Sequence, residues 1–246
     1  MPIPPFRDEK VSVVQGAAVN SAPAVLLTII VAAVVSAGCS HQAKFVPARA
    51  AKAIVGAESA AVSTVDGVRC SASAGSWPGL PRDLESDLRP MKVRFTNHSG
   101  QPIQILYQQF ALVSPTGERY RPLPVVSPSQ PPGDVPHLSP VYSSEGFFVA
   151  PRLKHVYADL RPWSQPLDRD DAFYKSSFED WPKELPTRDI ARGGLPEGVL
   201  EDGGTISGYL YFPSGANQED RVTFSAHVPN SRGDTVASIQ IPFVVE

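Results

Sequence analysis

Met91, Val93 and Phe95 alternate with Lys92, Arg94 and Thr96. A side-chain period of two sends one set to each face of a strand, so this stretch reads as a strand with one buried and one wet face. The alternation returns in Ile206, Gly208, Leu210 and Phe212, in Val222, Phe224 and Ala226, and in Ile239, Ile241, Phe243 and Val245. No helix-strand-helix rhythm separates these segments, so the chain is expected to be all-β, with antiparallel strands in a sandwich. The roughly 180 residues from Gly67 onward suffice for one hydrophobic core and not for two.

Turn signals punctuate the alternation. Asn97-His98-Ser99-Gly100 and Ser114-Pro115-Thr116-Gly117 each close a strand, the second as a hairpin into Arg119–Leu123. Asn230-Ser231-Arg232-Gly233-Asp234 lies between two alternating segments and reads as a third hairpin. Its Arg-Gly-Asp tripeptide is explained by turn chemistry alone, which favours glycine flanked by polar residues. Ile103, Ile105 and Tyr107 share one parity while Phe110 and Leu112 share the other. One extra residue would restore the face, which places a β-bulge near Gln108-Gln109.

Proline limits the middle of the chain. Of 26 prolines, half fall between Pro122 and Pro196. Proline cannot donate to a ladder, so residues 122–200 form an irregular crossover rather than central sheet. Within it, Asp170–Trp181 is expected as a short helix, with Tyr174, Phe178 and Trp181 on one face and Pro182 as its stop. Thr187–Arg192 is expected as a second, capped by Thr187 and ended by Gly193-Gly194. The crossover also gathers Trp163, Phe173, Tyr174, Phe178 and Trp181. Two readings follow. The five pack inward as a satellite cluster over an edge or end of the sandwich, or part of the crossover presents them outward as a contact surface.

The N-terminal region has a different character. Ala24–Val35 is an apolar run of twelve residues with one threonine, followed by Ser36-Ala37-Gly38-Cys39. A membrane-spanning helix needs about 20 apolar residues, and runs of 10–14 suit the core of a signal peptide. Ser36-Ala37-Gly38-Cys39 resembles the lipobox of bacterial lipoproteins. The resemblance implies removal of residues 1–38, lipid on Cys39 and attachment of the chain to a membrane. Ser40, in place of Asp, implies delivery to the outer membrane of a Gram-negative bacterium. A plain uncleaved anchor and a secreted form with a Cys39–Cys70 disulfide are the alternatives. Residues 39–66 are Ala-rich with one aromatic, Phe45, and are expected to form a flexible tether of about 30 Å average span before a single domain, 67–246.

The stretches "VRFTNHSGQPIQILYQQFALVSPTGERY", "LPEGVLEDGGTISGYLYFP" and "IQIPFVVE", about a quarter of the chain, resemble uncharacterised exported lipoproteins. That group implies an immunoglobulin-like form of the sandwich and no activity. The Cys…Trp…Cys core of antibody domains is absent, so expectations from antigen receptors do not transfer.

Chemistry-bearing patterns are scarce. The formal net charge is −3 and no Lys/Arg-rich run exists, which argues against a nucleic-acid partner. His41, His98, His137, His155 and His227 are scattered, with no pair at helical ligand spacing, so neither a metal nor a cofactor is expected. Asp168-Arg169-Asp170-Asp171 lacks the spacing of a calcium loop and reads as the start of a helix. Asn97-His98-Ser99 matches a glycosylation sequon and reads as a turn. Val68, Cys70 and Ala72 share a strand face, so Cys70 is expected to be buried and inert. No catalytic residue is assigned. The expected function is that of a lipid-anchored, non-enzymatic binding or structural module of the cell envelope, with a possible protein partner there. The alternative is a cell-envelope hydrolase built on crossover carboxylates.

Overall fold

The computed structural model describes residues 44–49, 51–53, 60–75, 77–127, 137–140 and 142–246. The apolar run, the lipobox-like segment and Cys39 lie outside them. Every described element falls within His41–Glu246, which forms a compact unit of its own.

In chain order the first strands are β1 (Phe45–Pro47), β2 (Lys52–Ala53), β3 (Ala60–Val65) and β4 (Val68–Ser73). A short helix α1 (Leu84–Asp87) leads into β5 (Leu88–Asn97), β6 (Ile103–Ile105), β7 (Phe110–Val113) and β8 (Arg119–Tyr120). The crossover holds β9 (Phe147–Val149), α2 (Asp171–Glu179) and α3 (Arg188–Gly193) and runs into β10 (Gly198–Leu200). Three long strands close the chain: β11 (Thr205–Pro213), β12 (Arg221–Pro229) and β13 (Thr235–Val245). They form two five-stranded sheets, β1-β13-β12-β7-β8 and β11-β5-β4-β3-β2, and a three-stranded sheet, β6-β10-β9. Every strand pair in them is antiparallel.

The alternating segments put their apolar sets where the period requires. Met91, Val93 and Phe95 are buried, as are Val68, Cys70 and Ala72, and Phe224, Ile239, Ile241 and Phe243. Phe95 of one five-stranded sheet meets Phe110 of the other at 5.6 Å between ring centroids, and Phe110 continues onto Phe224. The hairpins form as expected. Val113 faces Arg119 across the turn ending in Gly117, whose φ of +90° suits glycine. In the last hairpin the Asn230 carboxamide oxygen accepts from the amides of Arg232 and Asp234.

Two expectations are corrected. The described residues between 44 and 66 do not form a free tether: β1 pairs with β13, and β2 and β3 extend the other five-stranded sheet. Phe45 is fully buried against Phe243, with the Arg89 guanidinium 4.8 Å from its ring. Edge strands need backbone partners more than side-chain bulk, so an Ala-rich segment suffices once one aromatic anchors it. The second correction concerns Gln108-Gln109. A 3-10 turn, Tyr107–Gln109, stands there in place of a bulge. It carries the chain from β6 in the three-stranded sheet to β7 in a five-stranded one, and the change of sheet produces the change of parity.

Strand β11 is buried on both faces. Ile206, Leu210 and Phe212 face the main core, while Ser207, Tyr209 and Tyr211 lie under the crossover. Trp77 stands edge-on to Tyr209 and Tyr211, and Trp181 tilts against Tyr211. Leu195 donates its amide to the Tyr209 carbonyl at 2.9 Å. A Cβ at Gly208 would stand 2.5 Å from the Leu195 Cα, so the contact requires glycine.

Candidate functional site

The two crossover helices start where the sequence places them. The Asp170 carboxylate accepts from the Phe173 amide and the Thr187 hydroxyl from the Ile190 amide. These caps orient the crossover aromatics, and the orientation is inward. Phe173, Tyr174 and Trp181 are buried, and Phe178 is half-buried against the core. Trp181 donates its indole N–H to the Pro124 carbonyl at 2.8 Å. Trp163 is half-buried, edge-on to Phe148. The five residues therefore do not assemble into an outward contact surface. Trp181 covers Tyr211 of β11, and Trp163 covers Phe148 of β9.

Beneath α2 lies a feature the sequence does not announce. Glu197 is 3 % exposed. Its Oε1 accepts from the Tyr107 amide at 2.9 Å and from the Tyr174 hydroxyl, and its Oε2 accepts from the Arg152 guanidinium. Arg152 and Arg169 also stand over the Tyr174 ring, at 5.1 and 4.5 Å. Burial, then the charge of Glu197, holds the Tyr157 and Tyr174 phenols well above their ordinary range. The Tyr107 and Tyr157 hydroxyls are buried without a protein partner. They border a cavity of about 10 Å³ beside Glu197. That is room for about one water molecule, and not for a substrate. The cluster joins the 3-10 turn, β10 and the crossover, and its geometry is that of an internal clamp.

An open hollow lies on the other five-stranded sheet. The wet face of β12, β13 and β7 carries a groove of about 860 Å³ floored by Val113, Thr223, Pro242 and Val244. Arg49, Arg119 and Arg221 stand at its margin, all exposed. Arg119 is placed there by pairing with Val113, and Arg221 by pairing with Val244. Arg49 follows β1, where the Ala48 amide donates to the Pro242 carbonyl at 2.9 Å. No Asp or Glu is among the described lining residues. Adjoining hollows of about 450 and 400 Å³ add Lys52 and Arg69, then Arg94 and His98, again with no described carboxylate. Sequence reasoning missed this concentration because the arginines come from five separate segments.

The remaining singled-out residues stay dispersed. Arg169 pairs with Asp171 at 2.6 Å, Asp170 serves as a cap, and no group of three potential metal ligands forms among the described residues. Asn97 is buried and holds the turn after β5 by donating to the Gln101 and Leu200 carbonyls. Cys70 is fully buried, and burial raises its thiol pKa far above the ordinary value. No helix among the described residues is long and apolar enough to cross a membrane. Comparison of the chain with protein-family models, curated proteins and solved structures finds no match.

Proposed function

We propose that this chain is an exported protein held to a membrane, the outer membrane of a Gram-negative bacterium, through lipid on Cys39. Its body is an immunoglobulin-like β-sandwich that acts in the cell envelope by contact rather than catalysis. The observation that carries the reading is the short apolar run ending in Ser36-Ala37-Gly38-Cys39, six residues ahead of the first core residue, Phe45. A run of this length suits an export signal better than a span. The contact reading is favoured by where polar groups lie. Among the described crossover carboxylates, Asp171 pairs with Arg169 at an exposed helix start, and Glu197, which meets the Tyr174 hydroxyl and the Arg152 guanidinium, borders space for about one water. The arginine-lined groove is open, and its mixture of apolar floor and cationic margin suits an anionic ligand or surface. Cells fed labelled palmitate test the anchor. Label is expected on the native chain and absent from Cys39→Ser, which accumulates as a longer precursor; label retained by Cys39→Ser refutes it.

A further inference from the structure

The cationic hollows share residues and so form one continuous surface. Gln240 and Pro242 belong to both the Arg49/Arg119/Arg221 groove and the Lys52/Arg69 hollow, and Arg69 belongs to both that hollow and the one with Arg94. Six arginines and lysines thus follow one another, with no carboxylate among the described linings, in a chain whose net charge is −3. Glu118 and Asp220 neighbour Arg119 and Arg221 in sequence yet line none of these hollows. Such segregation creates a local positive potential that the net charge conceals.

The path of the chain indicates what meets this surface. Arg49 and Lys52 sit on the segment that follows Cys39 in the chain and joins the sheets. Arg49 lies ten positions after Cys39, a reach of at most about 35 Å, and Phe45 six positions after it, about 20 Å. Because residues 45–47 are fixed to β13, a lipid at Cys39 holds this side of the body near the bilayer instead of letting it swing on a long tether. The cations are spread across open sheet faces and not gathered round an enclosed cradle, which suits a plane of headgroups more than one small anion. We infer that the surface bearing Arg49, Lys52, Arg69, Arg119 and Arg221 docks the body onto the anionic lipid headgroups of the membrane that carries the anchor. The inference rests on the lipid-anchor reading for its geometry, but its chemistry can be tested without the lipid.

The test uses His41–Glu246, which contains the whole described core and lacks Cys39. It is mixed with vesicles of phosphatidylglycerol and phosphatidylcholine, or of phosphatidylcholine alone, and the bound fraction is read by sedimentation. Binding is expected to the anionic vesicles only and should fall as salt is raised. Each cation near an anionic surface strengthens binding about fivefold, so Arg119→Gln/Arg221→Gln should weaken it about 25-fold. Arg188→Gln/Arg192→Gln removes the same charge from α3, outside these hollows, and should bind as the parent does. Should the first pair melt early, Lys52→Gln/Arg69→Gln on the adjoining hollow is expected to give the same loss. Binding to neither vesicle, equal binding to both, or equal loss in the α3 variant overturns the proposal. Palmitate labelling is independent of every one of these outcomes, so failure of the anchor and failure of the docking surface are told apart.

Discussion

Glu197→Leu is expected to loosen the crossover from the body, and its cost can be worked from the contacts. The carboxylate accepts from a buried amide, Tyr107, and a buried hydroxyl, Tyr174. Leucine accepts neither, and each orphaned buried donor costs about 1–3 kcal/mol. The third partner counts for less. The Arg152 side chain keeps 28 % of its exposure and can turn its guanidinium to water. The total comes to about 3–5 kcal/mol, the range for breaking a buried ion pair by removing one partner. Domain stabilities run about 5–15 kcal/mol, so the loss is large without requiring an unfolded chain. Urea unfolding followed by circular dichroism gives the figure, and tryptophan emission, from Trp163 and Trp181 of the crossover and Trp77 beside it, reports the crossover on the same samples. Adding Arg152→Met should recover part of the loss, because replacing both members of a buried pair costs less than stranding one. A loss under about 1 kcal/mol for Glu197→Leu, or a double variant as unstable as the single, refutes the clamp.

Cys70 should resist thiol reagents in the folded protein and react on denaturation, since burial both hides the sulfur and suppresses the thiolate; fast labelling of native protein would contradict its place on β4. Alkaline pH should unfold the body. Tyr107, Tyr157, Tyr174 and Tyr211 have phenol pKa values raised first by burial, so the stability they contribute is fully present below the unfolded value of about 10 and declines as pH rises above it toward the folded values. Ultraviolet titration should show these phenols ionising only as the circular-dichroism signal collapses, and free titration of all tyrosines in folded protein would contradict it. Phe45→Ala should cost about 3–5 kcal/mol in a melting or urea experiment, because Phe45 is fully buried against Phe243; unchanged stability would restore the free-tether reading of residues 39–66.

Much of the fold was legible because it rests on local signals. Strand faces follow from period two, as in Val222, Phe224 and Ala226, and both helix starts follow from capping residues, Asp170 and Thr187. One local signal went unused. Asp66-Gly67, both at positive φ, turns β3 into β4 with Val65 facing Val68, and that dipeptide marks a two-residue hairpin. The Glu197 cluster was not legible. Its partners Tyr107, Arg152 and Tyr174 lie up to 90 residues away, and a single glutamate before β10 carries no pattern. Trp77 and Tyr209 likewise meet only in the folded chain. Tyr209 and Tyr211 looked like the wet side of an alternating strand, and only the crossover shows that they are dry.

The two five-stranded sheets differ in how their outer faces are finished, and the difference locates the surface available for contact. An antiparallel sheet can leave one face to solvent if polar residues carry it. On β11 the outer face carries Tyr209 and Tyr211, which water does not serve well, and Trp77 together with Tyr142 and Trp181 of the crossover covers them. On β12 and β13 the outer face carries Thr223, Ser225, Gln240 and Pro242, framed by Arg49, Arg119 and Arg221, and the groove over them stays open. Aromatic content therefore marks the covered side of this molecule. The proline-rich crossover concentrates aromatic mass because it is a lid on a strand, whereas the open face is built from small polar residues and dispersed arginines. A partner reaching this body meets charge and short side chains first, which favours anionic surfaces over apolar peptides and makes the encounter sensitive to salt.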